Sequence, residues 1–575
     1  MEIYLLALRN FRGLSSFELI PNGHVLIAGE PSVGRSTIVD ALFRVLSPNG
    51  SRGTVSHDLD LTDRDHEEWA EVEVTLGDLD EDLTQRFFDY LEFWDADEDQ
   101  LVDELETPDD LDAYEQIVRL CYRLRWNAEE EIGEQWVDYP KLADAENDLF
   151  PRVRRNDLEA LPVFFSRSSG TPLSLAHQSD LRQIVNLGSE GDFQQTLESF
   201  ANKVEVLGDD LVESVQLLNA LRKIAEPISS SLKMDAEELS DEIAFVPAGV
   251  ALGALLRGLE PTLLLGDEET PLPLSRHGST TSAALMAAEL LVRGENPTGV
   301  TIADDFGEGL DAPTARHLAS LLRRKSRQTW VTTRRAEVAA AFRPNEIVRL
   351  AFNENGERAV FQGKQPATKS ERMAARHLSL QLLPAITARA VVAVEGPHDR
   401  AALQAVSERR LRRNGIPLLD GDRIGLIDAG AADSAGGSSA LPRLCSAARD
   451  LGFYTVAIQD GDPDDSDTIQ ATENATDAVI RLPEGVAVEL ALLRGLTDDQ
   501  IRKALAKLDA HLPSDLDALE GADLIKAARR ALKSRGGVHA EFVDALRGPT
   551  PELAAQMLDA VKDCVANRSA GLIQL

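Results

Sequence analysis

Two acidic clusters in the C-terminal half of the chain each follow an apolar run. The first contains Glu395 and Asp399, and the second contains Asp460 and Asp462. Alternate residues of an extended chain point the same way, so Asp460 and Asp462 can face one point. Carboxylates that crowd together repel one another unless a hard cation neutralises them, and Mg²⁺ prefers oxygen ligands. The residue types and spacing therefore predict a divalent metal site.

The elements that must position these acids are strands. The runs 391–394 and 454–459 are apolar without alternation, which is typical of strands buried on both faces of a parallel sheet. A helical pattern over 399–411 and a short strand at 423–428 separate them, giving the order β-α-β-α-β. Right-handed crossovers would bring the strand ends to one sheet edge, where ligands bind. The alternative, in which the first cluster is only a turn and a helix cap, does not account for the second.

A second chemistry is indicated near the N-terminus. A strand at 25–28 is followed by the loop Gly-Glu-Pro-Ser-Val-Gly-Arg-Ser-Thr at 29–37 and by a helix at 38–46. In such a loop, backbone N–H groups and a helix N-terminus cradle phosphates. The candidate nucleotide-binding residues are Gly29, Gly34, Arg35, Ser36 and Thr37. Arg35 replaces the expected lysine and would weaken binding, and an ordinary glycine turn is the alternative.

Further segments extend this pattern. Ser275 and Gly278 precede a helix at 280–292, and an apolar strand ends in Asp304 and Asp305. Gly309-Leu310-Asp311 and a buried strand that ends at Arg334 follow. In this order they resemble the signature loop, Walker B strand, D-loop and switch strand of an ABC-type ATPase head.

This resemblance implies roles for individual residues. Asp304 would hold Mg²⁺ through water, and Asp305 occupies the position of the family's catalytic Glu. Arg334 stands where a His usually senses the γ-phosphate. Because Arg35, Asp305 and Arg334 all depart from the family pattern at the nucleotide, ATP is expected to be bound and hydrolysed slowly.

The C-terminal acids resemble those of the Toprim domain of topoisomerases, primases and nucleases, through Glu395 with its following glycine, Asp460 and Asp462. Asp399 and Glu489 match the additional metal-site acids of the OLD-type nucleases. The resemblance implies catalytic roles for Glu395, Asp460 and Asp462. A nearby lysine could stabilise phosphate charge, for which Lys526 is our candidate and Lys533 is the alternative. For either lysine, as for Glu489, a solvated helix face is the competing interpretation.

The arrangement as a whole resembles the OLD (overcoming lysogenisation defect) family, which includes the large subunit of the Gabija system. It predicts an α/β chain with an ABC-type head at 1–365 and a helical insertion or dimerisation arm at about 190–240. A linker at 366–385, a Toprim domain at 386–497 and a helical region at 498–575 would follow. Residues 463–476 are expected to form a polar loop.

The same resemblance implies a DNA endonuclease that uses Mg²⁺ or Mn²⁺ and is regulated by ATP, often in anti-phage defence. It implies a homodimer or a dimer of dimers, with a helicase-like or other defence protein as a further partner. Two alternatives remain. One is a nucleotide-sensing scaffold that recruits a partner without cleaving DNA, and the other is a RecF-type repair ATPase, which lacks the second acidic sheet.

Composition limits these functions. The 575 residues carry a formal charge of −38, which argues against a general DNA-coating protein but leaves room for a local channel. No run approaches the roughly 18 uncharged apolar residues of a membrane span, so a soluble, cytoplasmic protein without a membrane partner is expected. Three scattered cysteines provide neither a disulfide framework nor a zinc site.

Overall fold

The structure is a computed structural model of the chain. It describes residues 1–53, 55–62, 68–102, 113–127, 129–166, 172–174, 181, 195–197, 199, 235, 261–263, 272–293, 298–353, 355–365, 368–430, 437–461, 466–508, 516–533 and 538–575. Two compact units are present. The first comprises Met1–Phe165, Thr298–Phe306 and Ser326–Leu575, and the second comprises Ser166–Pro297 and Gly307–Lys325.

The strands are, in chain order, β1 (Glu2–Phe11), β2 (Leu14–Leu19), β3 (Val25–Gly29), β4 (Ala70–Gly77), β5 (Leu91–Asp95), β6 (Gln100–Val102), β7 (Glu115–Asn127), β8 (Ile132–Asp138), β9 (Val163–Ser166), β10 (Thr262–Leu263), β11 (Leu272–Pro273), β12 (Val300–Ala303), β13 (Gln328–Thr332), β14 (Ile347–Phe352), β15 (Arg358–Gln362), β16 (Ala390–Val394), β17 (Ile424–Asp428), β18 (Tyr454–Gln459), β19 (Ala478–Arg481) and β20 (Gly571–Gln574).

The helices are α1 (Arg35–Leu46), α2 (His57–Asp60), α3 (Glu81–Arg86), α4 (Arg155–Ala160), α5 (Ser279–Arg293), α6 (Ala312–Lys325), α7 (Ala336–Ala339), α8 (Lys369–Leu382), α9 (Pro397–Asn414), α10 (Leu441–Asp450), α11 (Ser466–Ala475), α12 (Val488–Ala491), α13 (Asp498–Leu505), α14 (Gly521–Lys533), α15 (Val538–Ala545) and α16 (Glu552–Asn567).

Two sheets form the N-terminal part of the first unit. One is an antiparallel, seven-stranded sheet with the order β2-β1-β4-β7-β5-β6 and with β8 paired to β7. The other has the order β15-β14-β3-β13-β12-β9, in which β14, β3, β13 and β12 are parallel. Helix α1 places Ile38, Leu42 and Val45 in a core that both sheets share. The strand β3, which leads into the glycine loop, is therefore fixed in the middle of the second sheet.

A third sheet is fully parallel, with the order β17-β16-β18-β19-β20. Along β16, Val392 and Val394 enter one core, whereas Val391 and Ala393 enter the core on the opposite face. This division confirms the prediction of strands buried on both faces. The crossover order β16-α9-β17-α10-β18 is also the one predicted from the sequence.

The described elements of the second unit are the short β10–β11 pair and the helices α5 and α6, which pack on each other. The insertion predicted at about 190–240, including the arm expected at 192–232, lies almost entirely outside the described residues. None of the described helices is long and apolar enough to cross a membrane.

Two predictions of local structure are wrong. The expected loop at 463–476 contains helix α11 from Ser466 to Ala475. The hydroxyls of Thr472 and Thr476 donate to carbonyl oxygens four residues earlier, and both side chains are buried. Because buried positions of this segment are polar, the sequence lacks the apolar periodicity that predicts a helix. The region after 498 is not wholly helical, because β20 pairs with β19. β20 is an edge strand of only 4 residues whose side chains are mostly exposed, so the apolar pattern that predicts a strand is too short to be distinctive.

Candidate nucleotide and metal sites

The glycine loop joins β3 to the N-terminus of α1. Gly29 has a φ of 138°, and a Cβ there would collide with the carbonyl oxygen of Leu350. Gly34, with a φ of 103°, is the residue before α1. Both conformations favour glycine, and together they turn the chain so that the first N–H groups of α1 face the loop. The loop has the backbone geometry of an anion cradle.

A hydrogen-bond network joins this loop to the end of β12. Ser36 Oγ donates to Asp304 Oδ1 at 3.1 Å, and Thr332 Oγ1 donates to the same oxygen at 2.6 Å. The structure therefore brings together Ser36 and Asp304, which the sequence assigned to one Mg²⁺–nucleotide site. Thr332, at the end of β13, was not singled out from the sequence. The feature that could have indicated Thr332 is the position of β13 between β3 and β12, which places the end of β13 beside both the glycine loop and Asp304.

The three residues that depart from the ATPase pattern contact this network or the loop. Arg35 Nη1 donates to the carbonyl of Gly29 at 3.0 Å, so its side chain folds back on the loop. Arg334 Nε lies 3.7 Å from Asp305 Oδ1. Asp305 adopts a left-handed conformation and its N–H donates to Thr332 Oγ1 at 2.7 Å. Asp305 is thus held by its backbone and by an ion pair.

The predicted signature loop belongs to the second unit. Ser275 lies in a 3₁₀ turn, Leu274–Arg276, and Gly278 immediately precedes α5. His277 Nε2 lies 3.1 Å and 3.2 Å from the carbonyl oxygens of Leu263 and Leu272. These contacts fix the loop on the β10–β11 pair.

Three acids end neighbouring strands of the parallel sheet. Glu395 follows β16 and Asp460 follows β18, with Ala393 opposite Ala457 in the register. Asp428 ends β17 opposite Val394. The carboxyl ends of parallel strands lie at one sheet edge, so this edge carries all three acids.

Asp399 completes the first turn of α9. Its Oδ2 accepts the N–H of Gly396 at 3.1 Å. Burial and, to a smaller extent, the nearby carboxylates of Asp460, Glu489 and Asp428 raise the pKa of Asp399 to about 7. The acids predicted from three separate segments therefore act on one another, which is the behaviour of one shared site.

Helix α12 brings Glu489 to this group. Asp460 Oδ1 accepts the N–H of Val488 at 3.1 Å, which ties α12 to the end of β18. Glu489 Oε2 is buried and has no hydrogen-bond partner in the described part of the chain. A buried oxygen without a partner is costly, and a bound ion or water is the ordinary way in which such an oxygen is satisfied.

The lysine that reaches this group is Lys533. Its Nζ lies 3.6 Å from Glu489 Oε1, at the last turn of α14. Lys526 lies two turns earlier on the same helix and is exposed. The choice of Lys526 from the sequence is therefore not favoured, because α14 approaches the acids with its C-terminal end.

Further groups surround the acids without having been predicted. Asp428 is buried, and its carboxylate accepts from Arg400 Nη1 at 3.2 Å and from the N–H of Gly430 at 3.1 Å. His539 is buried and its ring lies 5.8 Å from that of His398. Neither ring nitrogen of His539 has a hydrogen-bond partner among the residues described. Burial lowers the pKa of this histidine.

The acids fit a hard divalent cation in kind and in electrostatics. Asp399, Asp460 and Glu489 offer only oxygen donors, Glu489 Oε2 is buried without a hydrogen-bond partner among the described residues, and burial together with the neighbouring carboxylates raises the pKa of Asp399. Among the described residues, however, no group of three or more His, Cys, Asp or Glu side chains is arranged so that it could hold a metal ion. Asp462, the remaining predicted ligand, lies outside the described residues.

Comparison with known proteins supports the nucleotide site. Residues 2–54 match a family model described as the P-loop containing region of AAA domain. This chain thus carries a P-loop region of the kind found in nucleotide-binding ATPases. A solved structure, "Crystal structure of the SmcHead bound to the C-winged helix domain of ScpA", is similar at 14% identity and a TM-score of 0.32, covering 63% of this chain and 98% of that one. Among curated proteins no match was found.

Proposed function

We propose that the chain is a metal-dependent DNA endonuclease whose activity is controlled by ATP at the P-loop. One observation carries the proposal. Asp399, Asp460 and Glu489 come from three elements, and their carboxylates interact electrostatically at the carboxyl edge of a parallel sheet, where Glu489 Oε2 is buried without a hydrogen-bond partner among the described residues. The Toprim and OLD-type resemblance of these acids supports DNA as the substrate and Mg²⁺ or Mn²⁺ as the metal.

The cation would be held by Asp399, Asp460 and Glu489, together with Glu395 and Asp462. When bound, it supplies charge neutralisation at the scissile phosphate and a lower pKa for an attacking water. The chain's own contribution is positioning. The N–H of Gly396 orients the carboxylate of Asp399, and the N–H of Val488 orients that of Asp460.

Lys533 is the cationic group that faces Glu489 at this centre. Its side chain is half exposed, whereas that of Glu489 is largely buried. A DNA phosphate that approaches the acids would meet this ammonium, which can stabilise the negative charge that develops during cleavage. We therefore assign to Lys533 the role that the sequence analysis gave to Lys526.

The head would act as a switch. ATP would occupy the cradle between Gly29 and Thr37, with Ser36, Asp304 and Asp305 at the Mg²⁺ side. In ABC-type heads, a second copy closes this site with its signature loop, here Ser275 and Gly278. We therefore propose a homodimer or a dimer of dimers, with DNA and a helicase-like or other defence protein as partners.

A second candidate is a nucleotide-dependent scaffold that recruits a partner without cleaving DNA. The back-folded Arg35 and the ion pair between Arg334 and Asp305 favour this reading, since both occupy positions of ATP chemistry. The strongly negative overall charge also suits a protein partner better than DNA.

Cleavage of supercoiled plasmid separates the two candidates. Purified chain is incubated with plasmid and Mg²⁺ or Mn²⁺, with and without ATP, alongside the variants Asp460→Ala and Glu484→Ala. Glu484 is an exposed acid between β19 and α12 and serves as the control. Nicking that is lost in EDTA and in Asp460→Ala, and kept in Glu484→Ala, supports the nuclease. Absence of metal-dependent cleavage by the natural chain supports the scaffold.

A further inference from the structure

A fully buried arginine connects the head to the parallel sheet. Arg349 lies on β14, and none of its side chain is exposed. Its guanidinium donates to the carbonyl oxygens of Ile386 at 3.3 Å and Leu451 at 2.9 Å, and also to that of Ala388. The guanidinium carbon lies 3.8 Å from the centre of the Phe453 ring.

These carbonyls stand at the start of the strands that carry the acids. Ile386 and Ala388 precede β16, which leads to Glu395, and Leu451 precedes β18, which leads to Asp460. One guanidinium therefore binds the segments that precede β16 and β18, which are neighbouring strands of the parallel sheet. A shift of this group would move two strands together, since they are hydrogen-bonded along their length.

The acid that faces Arg349 belongs to the P-loop. Glu30 directly follows Gly29 and is buried, and its Oε1 lies 3.8 Å from Arg349 Nη2. The same oxygen accepts the N–H of Phe352 at 3.4 Å, and the N–H of Glu30 donates to the carbonyl of Leu350 at 3.1 Å. The side chain of Glu30 is thus anchored on β14 at the entrance to the phosphate cradle.

Electrostatics makes this contact sensitive to position. A buried guanidinium is tolerated only while its donors and charge are compensated, because an unpaired charge in the interior is very costly. Burial lowers the pKa of Arg349 to about 10, and Glu30 opposes that shift. If Glu30 moves with the loop, the compensation of Arg349 changes, and the carbonyls that Arg349 holds must readjust.

We propose that the Glu30–Arg349 pair transmits the nucleotide state of the P-loop to the acid-bearing strands of the parallel sheet. The proposal rests on the proposed function for its biological meaning, because it describes how that metal site is regulated. By linkage, any coupling of this kind is reciprocal, so the state of the parallel sheet also alters nucleotide affinity. Glu30 and Arg349 are positioning residues, because their described contacts are with each other, with β14 and with the carbonyls that precede β16 and β18.

The test measures amide hydrogen exchange of segments 386–394 and 451–459 with and without saturating ADP or a non-hydrolysable ATP analogue. It compares the natural chain with Glu30→Gln, which keeps the size of the side chain and removes its charge, and with Glu30→Asp, which keeps the charge. Glu346→Gln is the matched control. Glu346 is another buried acid next to β14, and it caps its own turn beside Arg343.

We expect nucleotide to change exchange in both segments by about threefold or more in the natural chain and in Glu346→Gln. The change should be lost in Glu30→Gln and partly kept in Glu30→Asp, at nucleotide concentrations that saturate each variant. An undiminished response in Glu30→Gln, no response in the natural chain, or an equal loss in Glu346→Gln would overturn the coupling.

Plasmid cleavage is measured in the same samples, so that failure of the coupling can be distinguished from failure of the nuclease proposal. If the exchange response depends on Glu30 but no variant cleaves DNA, the coupling stands and the nuclease assignment fails. If the natural chain cleaves DNA in a nucleotide-dependent way and Glu30→Gln is regulated equally, the nuclease stands and the coupling fails.

Discussion

Lys533 Nζ lies 3.6 Å from Glu489 Oε1, an ion pair between the last turn of α14 and the short helix α12. Glu489 thereby presents one oxygen to a cation of the chain, while its other oxygen is buried without a partner among the described residues. The two oxygens of Glu489 therefore differ, because one faces the ammonium of Lys533 and the other does not. Under the proposed function, a divalent cation would bind beside the buried oxygen of Glu489, and a DNA phosphate would meet the ammonium of Lys533.

Substitution of Lys533 tests this arrangement. Lys533→Ala should lower the rate of plasmid nicking by about 100-fold or more, the range seen when a group that stabilises transition-state charge is removed. Lys526→Ala, an exposed position on the same helix, should remain within about twofold of the natural chain. The initial nicking rate is measured at saturating metal. Equal losses in the two variants would mean that Lys533 has no special role.

The titration of Asp399 predicts a pH dependence of stability in the absence of metal. Its pKa is raised to about 7 in the folded state, so between pH 4 and 7 the folded chain keeps a proton that the unfolded chain releases. Stability should therefore fall as the pH rises through this window, and stay at the lower level above it. A shift of about three units corresponds to at most roughly 4 kcal/mol.

Asp399→Asn isolates this contribution. In EDTA at pH 8 the variant should unfold at higher urea concentration than the natural chain, and near pH 4 the two should coincide. Mg²⁺ should reverse the order at pH 8 by stabilising only the chain that retains the carboxylate. Urea midpoints at the two pH values, with and without Mg²⁺, measure these differences. Midpoints that differ equally at both pH values would contradict the raised pKa.

The sequence predicted those parts of the structure in which a local residue pattern indicates both the secondary structure and the site residues that follow it. The strands that lead to Glu395 and Asp460 are continuous apolar runs, and the structure pairs them in a parallel sheet as expected. Ser36 and Asp304 were assigned to one site, and a hydrogen bond joins them. Both results follow from strand order, because strand order fixes which chain ends meet at a sheet edge.

Long-range partners were not predictable in the same way. Arg349 lies in an ordinary apolar strand, and only the packing of β14 against Ile386 and Leu451 shows that its charge is buried. The choice between Lys526 and Lys533 depends on the direction in which α14 approaches Glu489, because the two lysines lie about two turns apart on the same face of this helix. The burial of Arg349 and the choice of lysine both depend on how distant elements pack against one another, which residue type alone does not indicate.

Arg35→Lys tests whether the arginine weakens the nucleotide site. The guanidinium of Arg35 donates to the carbonyl of Gly29, and a lysine ammonium is a compact charge that can reach phosphate instead. We expect the affinity for ATP, measured by isothermal titration calorimetry with Mg²⁺, to rise by about threefold or more. Arg52→Lys, beyond the end of α1, should leave the affinity unchanged. A weaker affinity in Arg35→Lys would show that the arginine is itself a phosphate ligand.

Thr332→Val tests the network that joins the loop to β12. Thr332 Oγ1 donates to Asp304 Oδ1 and accepts from the N–H of Asp305, and the residue is fully buried. Valine has nearly the same shape, so the variant removes the hydroxyl while leaving an Asp304 oxygen and the Asp305 N–H without this partner. The loss of such a buried hydrogen bond costs about 1–3 kcal/mol.

If Thr332 orients the two aspartates for ATP chemistry, the turnover of ATP in Thr332→Val should fall by about tenfold or more, while the affinity for ATP changes by less than about threefold. The control is Thr329→Val, a buried threonine on the same strand whose hydroxyl contacts His24 instead of the aspartates. Both variants lose a buried hydroxyl, so both should lose stability to urea by similar amounts. A drop in turnover that is shared by the control would assign the effect to stability, whereas a drop confined to Thr332→Val assigns it to the positions of Asp304 and Asp305.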